Sequence, residues 1–334
     1  MAMFRTVQPV VWAFDCEWVP DAEAGRRLLG LPPDCPECDV FAALWADAGA
    51  TEADPRPFLK TYASRLVSVA VVERREQQHG QVALCLRSMS AGTTRTEADV
   101  LRAFFGGLAK RQPQLVGFNS RGSDLPILVQ RGVVLGVPAP GLCACPARPW
   151  DGPDYFWGRS EWHLDLMAVL GGRGAACPSL KALALLSGLP AKANLDGGRV
   201  ADTWLAGDYE SIRMCNETDA VTTYLLWLRA AYFAGHFDAE AYAREEARVE
   251  VLLERQAEAG AVHLADFLDR WRVLDPVGKT TSTVAEADAS QPPAVLCRAL
   301  SNSSPSSAPH AERCTRTGGV RRPTSPSTAS TKPT

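Results

Sequence analysis

Four carboxylates in three separated motifs are the residues of this 334-residue chain best placed to do chemistry. Asp15 and Glu17 lie in Val-Trp-Ala-Phe-Asp-Cys-Glu-Trp, Asp124 in Gly-Phe-Asn-Ser-Arg-Gly-Ser-Asp-Leu-Pro, and Asp219 in Met-Cys-Asn-Glu-Thr-Asp. Each stands at the end of an apolar strand or on the face of an apolar helix. Carboxylates gathered at the edge of a core need a counter-charge. Divalent cations held by oxygen ligands supply one.

The elements that position these acids can be read from the periodicity. Residues Pro9 to Phe14 are apolar with β-branched members and read as a buried strand. Side chains at i and i+2 of a strand share a side, so Asp15 and Glu17 stand together and Cys16 points away. A bound cation removes the repulsion between two such charges. A second strand, Gln114 to Phe118, leads into a turn from Asn119 to Ser123 and then a helix from Leu125 to Leu135. Asp124 reads equally well as a ligand and as the N-cap of that helix. Asn119 either orients a ligand or satisfies backbone groups of the turn. A third element, a helix from about Tyr209 to Ala231, carries Met214, Val221, Leu225 and Leu228 inward. Asp219 follows Cys215 by four residues and shares its face. Glu217 falls on another face and reads as solvated.

Together the motifs resemble those of the DEDD superfamily of 3'-to-5' exonucleases, which have a ribonuclease-H-like fold. More closely, the chain resembles the predicted 3'-to-5' exonuclease family related to the proofreading exonuclease domain of family-B DNA polymerases. The resemblance runs from about Val11 to about Tyr242. Its supporting stretches are Gly25 to Pro32, Pro113 to Val116, Trp162 to Met167 and Gly188 to Lys192. Asp196 to Gly198, Trp204 and Gly207 to Tyr209 fit as well. The resemblance implies an α/β fold, with a mixed β-sheet flanked by helices. It implies that Asp15, Glu17, Asp124 and Asp219 hold two Mg2+ or Mn2+ ions about 4 Å apart. One ion would activate the attacking water; the other would stabilise the leaving 3' oxygen. Trp18 and Asn119 are the implied substrate contacts, and the implied partner is the 3' end of a single-stranded nucleic acid, DNA in the first instance.

Three positions depart from the family's pattern. Trp18 stands where Thr is usual, although related exonucleases carry Trp there. Ser123 replaces an aromatic and is expected to loosen packing beneath Asp124. Cys215 replaces the Tyr that orients water four residues before the last Asp, and Met214 stands where a second subclass has His. A thiol is a shorter and weaker hydrogen-bond partner than a phenol. Without that Tyr a loss on the order of 10–10³-fold in rate is expected. Cys215 with Ser123 also admits a binding module that holds a 3' end without turnover. An oligoribonuclease-like enzyme acting on short RNA is a further alternative, because sugar discrimination depends on pocket shape.

Composition sets bounds. Apolar residues make up 46% and charged residues 22%, as in globular proteins, and a net charge of −3 is no general nucleic-acid signature. No apolar run approaches the roughly 20 residues that span a bilayer. The N-terminal apolar stretch runs into Asp15 and Glu17 rather than a cleavage site, which predicts a cytoplasmic protein. Cys143–Cys145 lacks the spacing of a usual zinc knuckle and lies about 100 residues from the Cys35–Cys38 pair, so reduced thiols are expected.

Further elements follow from the pattern. Helices are expected at Ala22 to Leu29, Val40 to Asp47, Thr96 to Lys110, Ser179 to Ser187, Val200 to Leu205 and Phe237 to Glu258, and strands at Ser64 to Val72 and Gln81 to Leu86. Trp150, Tyr155, Phe156, Trp157 and Trp162 form either a packed loop or a stacking platform for bases, with Arg148 and Arg159 near phosphates. His163 and Asp165 lie on a short apolar segment, where Asp165 either supports the cations or makes a structural hydrogen bond. The expected organisation is an exonuclease domain over 8–235, a helical extension over 236–275 and a disordered tail over 276–334. From Val277 onward seven Lys/Arg face three Asp/Glu in a Ser/Thr/Pro/Ala-rich sequence, too polar to bury a core.

Overall fold

A computed structural model describes residues 4–148, 151–171, 178–190 and 199–274. The expected tail lies outside the described residues, as does Trp150.

Among the described residues five strands form one sheet, β1 (Val10–Pro20), β2 (Ser64–Glu76), β3 (Val82–Ser90), β4 (Gln114–Gly117) and β5 (His163–Asp165). Their order is β3-β2-β1-β4-β5. β1 pairs antiparallel with β2 and parallel with β4, β2 pairs antiparallel with β3, and β5 is parallel to β4. The sheet is therefore mixed, with the strand that carries Asp15 and Glu17 at its centre. β5 is a strand of three residues at a segment whose sequence is too short to show alternation.

Alternation along β1 divides the core in two. Trp12, Phe14 and Cys16 pack with Phe104, Phe105, Ile127 and Leu128 on one side of the sheet. Val11 and Ala13 pack with Val221, Tyr224, Leu225 and Leu228 on the other. The first side receives α3 (Glu97–Arg111) and α4 (Asp124–Val134), and the second receives α9 (Tyr209–Phe233). Thr96 and Asp99 close a capping box at the start of α3, satisfying two backbone donors at once.

The remaining helices are short or peripheral: α1 (Ala22–Leu29), α2 (Glu37–Asp47), α5 (Pro140–Cys143), α6 (Leu166–Gly171), α7 (Leu180–Leu186) and α8 (Val200–Leu205). Two more, α10 (Ala239–Glu258) and α11 (Val262–Leu274), pack beside α9 and bury Leu253, Leu264 and Phe267. Leu225, Leu226, Trp227 and Leu228 are therefore buried consecutively, as in a helix covered on all sides. α11 is a separate helix, divided from α10 by Gly260 at φ +99°.

Candidate metal centre

The acids converge on the middle of β1. Asp15 and Glu17 leave it on the side that faces α9, opposite Ala70 and Ser68 of β2. The ladder register shifts between Glu17 and Trp18, so the strand bends directly after the second acid. On α9, Cys215 and Asp219 stand one turn apart. Glu17, Cys215 and Asp219 each offer a ligand atom, and the three atoms lie within 4.8 Å of one another. Glu17 and Asp219 are buried and Cys215 is half-buried.

Asp15 is held by a neighbour that the sequence reading passed over. Asn216 Nδ2 donates to Asp15 Oδ2 at 2.7 Å. Ser68 Oγ donates to Asn216 Oδ1 at 2.9 Å, and Ser90 Oγ lies 2.9 Å from Ser68 Oγ. A chain of polar groups from β3 through β2 to α9 thus fixes one carboxylate of β1. Its signal in the sequence was an Asn inside an apolar helix, a residue that needs buried partners.

Asp124 approaches from the other helix layer. Gly117 ends β4, and a Cβ there would come 2.4 Å from Ser120 Cβ, so only glycine lets the chain turn so sharply. Asn119 then adopts φ +58°. Its amide and those of Arg121 and Met167 donate to Asp165, at 2.9, 3.0 and 3.0 Å. Asp165 therefore makes structural hydrogen bonds. The carbonyl of Asn119 accepts from the Gly122 and Ser123 amides, both at 3.0 Å. Asn119 thus satisfies the turn through its backbone.

Asp124 is the first residue of α4 rather than its N-cap, a position held by Ser123. Its Oδ1 accepts from the Cys16 amide at 3.0 Å, and its Oδ2 lies 2.9 Å from Ser123 Oγ. Ser123 does not leave a gap beneath the acid; its hydroxyl contacts both Asp124 and the Asn119 carbonyl, the latter at 2.9 Å. Burial pushes the Asp124 carboxyl up to about 7, against hydrogen bonds from Ser123 and Cys16 that pull it down. Burial, with the charges of Asp124 and Asp15, also pushes the Cys16 thiol far up, which keeps it inert.

The raised carboxyl gives a sign. Against an unfolded value near 3.9, Asp124 stabilises the cation-free fold fully below about pH 4, and this contribution is lost as pH rises through about 7. Asn at this position keeps an acceptor for Cys16 and adds a donor for Ser123, without the charge. Asp124→Asn should therefore stabilise the cation-free protein at pH 8 by on the order of 2 kcal/mol, and the gain should vanish at pH 4. Thermal melts at the two pH values check this, and an equal shift at both would count against it.

Glu217, expected on a solvated face, is not solvated. It is buried, 5% exposed, and accepts from Ser88 Oγ, Arg213 and His263 Nε2, the last at 2.7 Å. Burial raises its carboxyl, but bonds from His263 and Ser88 and the Arg213 charge outweigh burial and hold it below the ordinary range. The helical wheel showed that Glu217 faces away from Asp219. It could not show that β3 and α11 cover that face.

The aromatic segment before β5 also divides. Tyr155 is fully buried and donates its hydroxyl to the Pro113 carbonyl at 2.9 Å, so it is core rather than platform. Phe156 and Trp157 are exposed, and Arg148 pairs with Asp151 at 3.6 Å. His163 lies between Ser120 Oγ and the Tyr155 carbonyl, and burial with the Arg121 charge pushes its pKa down to about 3, keeping it neutral.

A cavity of about 340 Å³ opens at the end of β1 that follows Glu17, with Trp18, Val19, Trp45, Arg56, Phe58 and Leu59 among its walls. Trp18 and Phe58 meet edge to face at 6.5 Å, and Phe58 is 69% exposed. Arg56 lies over the Trp45 ring and forms two bonds to Asp202 of α8, at 2.7 and 2.8 Å. The segment Arg56-Pro-Phe-Leu-Lys-Thr-Tyr62 buries Leu59 and exposes Phe58, Lys60 and Tyr62.

A divalent cation fits this donor set: carboxylates packed into a partly buried cluster demand positive charge, and oxygen donors suit Mg2+ or Mn2+. No helix among the described residues is long and apolar enough to cross a membrane. No curated protein matches the chain. Among solved structures, the family B DNA polymerase of the archaeon Pyrobaculum calidifontis is similar at 17% identity with a TM-score of 0.39. The match covers 75% of this chain and 29% of that one. A family profile described as "predicted 3'-5' exonuclease related to the exonuclease domain of PolB" matches residues 56–271, a span with Asp124, Cys215 and Asp219 in it and the β1 acids outside it. The chain belongs to that family of predicted 3'-5' exonucleases.

Proposed function

We propose that this protein is a cation-dependent exonuclease that removes 5'-mononucleotides from the 3' end of single-stranded nucleic acid, with DNA as its substrate. The observation that carries the reading is the meeting of Glu17 and Asp219 beside Asp15, whose carboxylate a dedicated polar chain orients. Asp15, Glu17, Asp124 and Asp219 would hold the cations. Divalent ions, when bound, supply the charge that activates water and offsets charge gathering on the scissile phosphate.

The chain's own residues position. Asn216 holds Asp15, and the Cys16 amide with Ser123 holds Asp124, so rotation of neither carboxylate is needed as the substrate reacts. Trp18, in the cavity wall, and Asn119, on the turn that delivers Asp124, hold the terminal nucleotide. Phe58 offers an exposed π-face at the mouth of the same cavity. Stacking on such a ring contributes about 1–3 kcal/mol per base. Phe58→Ala should accordingly weaken single-strand binding by about that amount, measured by anisotropy of a labelled oligonucleotide with Ca2+ in place of Mg2+.

The deciding experiment uses 5'-labelled DNA and RNA oligomers with Mg2+ or Mn2+. Stepwise shortening from the 3' end with release of 5'-monophosphates is expected, slowed by a 3'-phosphate and stopped by EDTA. Digestion that persists in EDTA, or cleavage of a circular single strand, would overturn the proposal.

A further inference from the structure

The residue that departs most from the family pattern is also the one that completes a donor set. Cys215 Sγ, a carboxylate oxygen of Glu17 and one of Asp219 lie within 4.8 Å of one another. Donors that share one tetrahedral Zn2+ stand about 3.5 Å apart, given bond lengths of 2.0–2.3 Å. Small side-chain rotations therefore bring all three onto one ion. The thiol is poorly suited to orient water, being a weak hydrogen-bond donor. As a metal ligand it is strong, because thiolate binds borderline-soft ions far better than it binds Mg2+.

We propose that Cys215 is a direct metal ligand, and that Glu17, Cys215 and Asp219 form a mixed thiolate–carboxylate position selective for a thiophilic divalent cation such as Zn2+ over Mg2+. This rests on the reading of these acids as cation ligands and not on nuclease turnover. When the ion binds, the thiol proton passes to water and sulfur donates its lone pair to the metal. Glu17 and Asp219 leave a net charge that the dication reduces. The backbone holds the arrangement: α9 spaces Cys215 and Asp219 by one turn, and β1 brings Glu17 against that face.

The test titrates Co2+, as a coloured substitute for Zn2+, into full-length protein stripped with EDTA under reducing conditions. A near-ultraviolet sulfur-to-cobalt charge-transfer band should appear, and one equivalent of Zn2+ should bleach it while a large excess of Mg2+ should not. Cys215→Ser should remove the band and weaken Zn2+ binding at least tenfold, with Mg2+ binding changed less than twofold. Cys215→Asp, which exchanges sulfur for oxygen, should lose the band and bind Mg2+ more tightly. Circular dichroism checks that both variants fold, and the wild-type spectrum stands as a test by itself. No band in the wild type, or an unchanged band in Cys215→Ser, overturns the proposal. The second outcome would assign the colour to other thiols, such as the exposed Cys38, Cys143 or Cys145. A wild type that digests DNA with Mg2+ but shows no band refutes this inference alone, whereas a band without digestion refutes only the nuclease reading.

Discussion

Asp219→Ala and Asp15→Asn should each lower the rate of 3'-end digestion by on the order of 10³-fold or more while the protein stays folded. Asp219 is buried on α9 within reach of Glu17, and its loss would remove one of the proposed cation ligands. Asp15→Asn is the sharper variant. Asn retains an acceptor for Asn216 Nδ2, so the polar chain to Ser68 survives and only the charge is lost. Single-turnover rates at saturating Mn2+, with circular dichroism as the control, check the result. A loss below tenfold in both variants would mean that these acids do not hold the cations that matter.

The second large effect lies beneath the site. Arg131 of α4 is buried, with Nε and Nη2 donating to Glu97 at 2.7 and 2.8 Å and Nη1 to Asp21 at 2.5 Å. Glu97 also accepts from the Leu66 amide of β2 at 2.9 Å, and Asp21 caps α1 through the Glu23 amide at 3.0 Å. One guanidinium therefore ties the helix that begins with Asp124 to β2, α1 and α3. Burial works against its charge, and the bonds it donates to Glu97 and Asp21, with their negative charges, outweigh burial and raise its pKa. Arg131→Ala would leave two buried carboxylates without the guanidinium between them and should cost about 3–5 kcal/mol of stability. Adding Glu97→Gln to that variant should restore part of the loss, since one of the two stranded charges is gone. Urea midpoints for the single and double variants measure both, and a single-variant loss below about 1 kcal/mol would place the triad among exposed, solvent-screened pairs.

Neither the triad nor the Asn216 chain could be foreseen, and the reason is the same for both. Arg131 and Glu97 are 34 positions apart, and Asn216 and Asp15 are 201 apart. Each residue alone reads as an ordinary polar side chain, and only the packing of helix on sheet shows which polar groups are buried together. Glu217 was misread for this reason, because its cover comes from β3 and α11.

Local pattern determined a good deal. The two-residue spacing on an apolar strand set Asp15 and Glu17 on one side and Cys16 on the other, because strand geometry repeats every two residues. The four-residue spacing on α9 set Cys215 above Asp219 for the corresponding helical reason. The capping box of α3 and most helix starts were legible because their signals lie within one turn. The ordered motifs were also enough to place the chain in its family. Tertiary structure alone decided that α9 lies against β1 so that Cys215 reaches Glu17 across 198 positions of sequence, that the Cys16 amide donates to Asp124, and that a cavity opens beside Trp18. Spacing rules reach about one helical turn or one strand, whereas the approach of two elements depends on how every buried side chain between them packs.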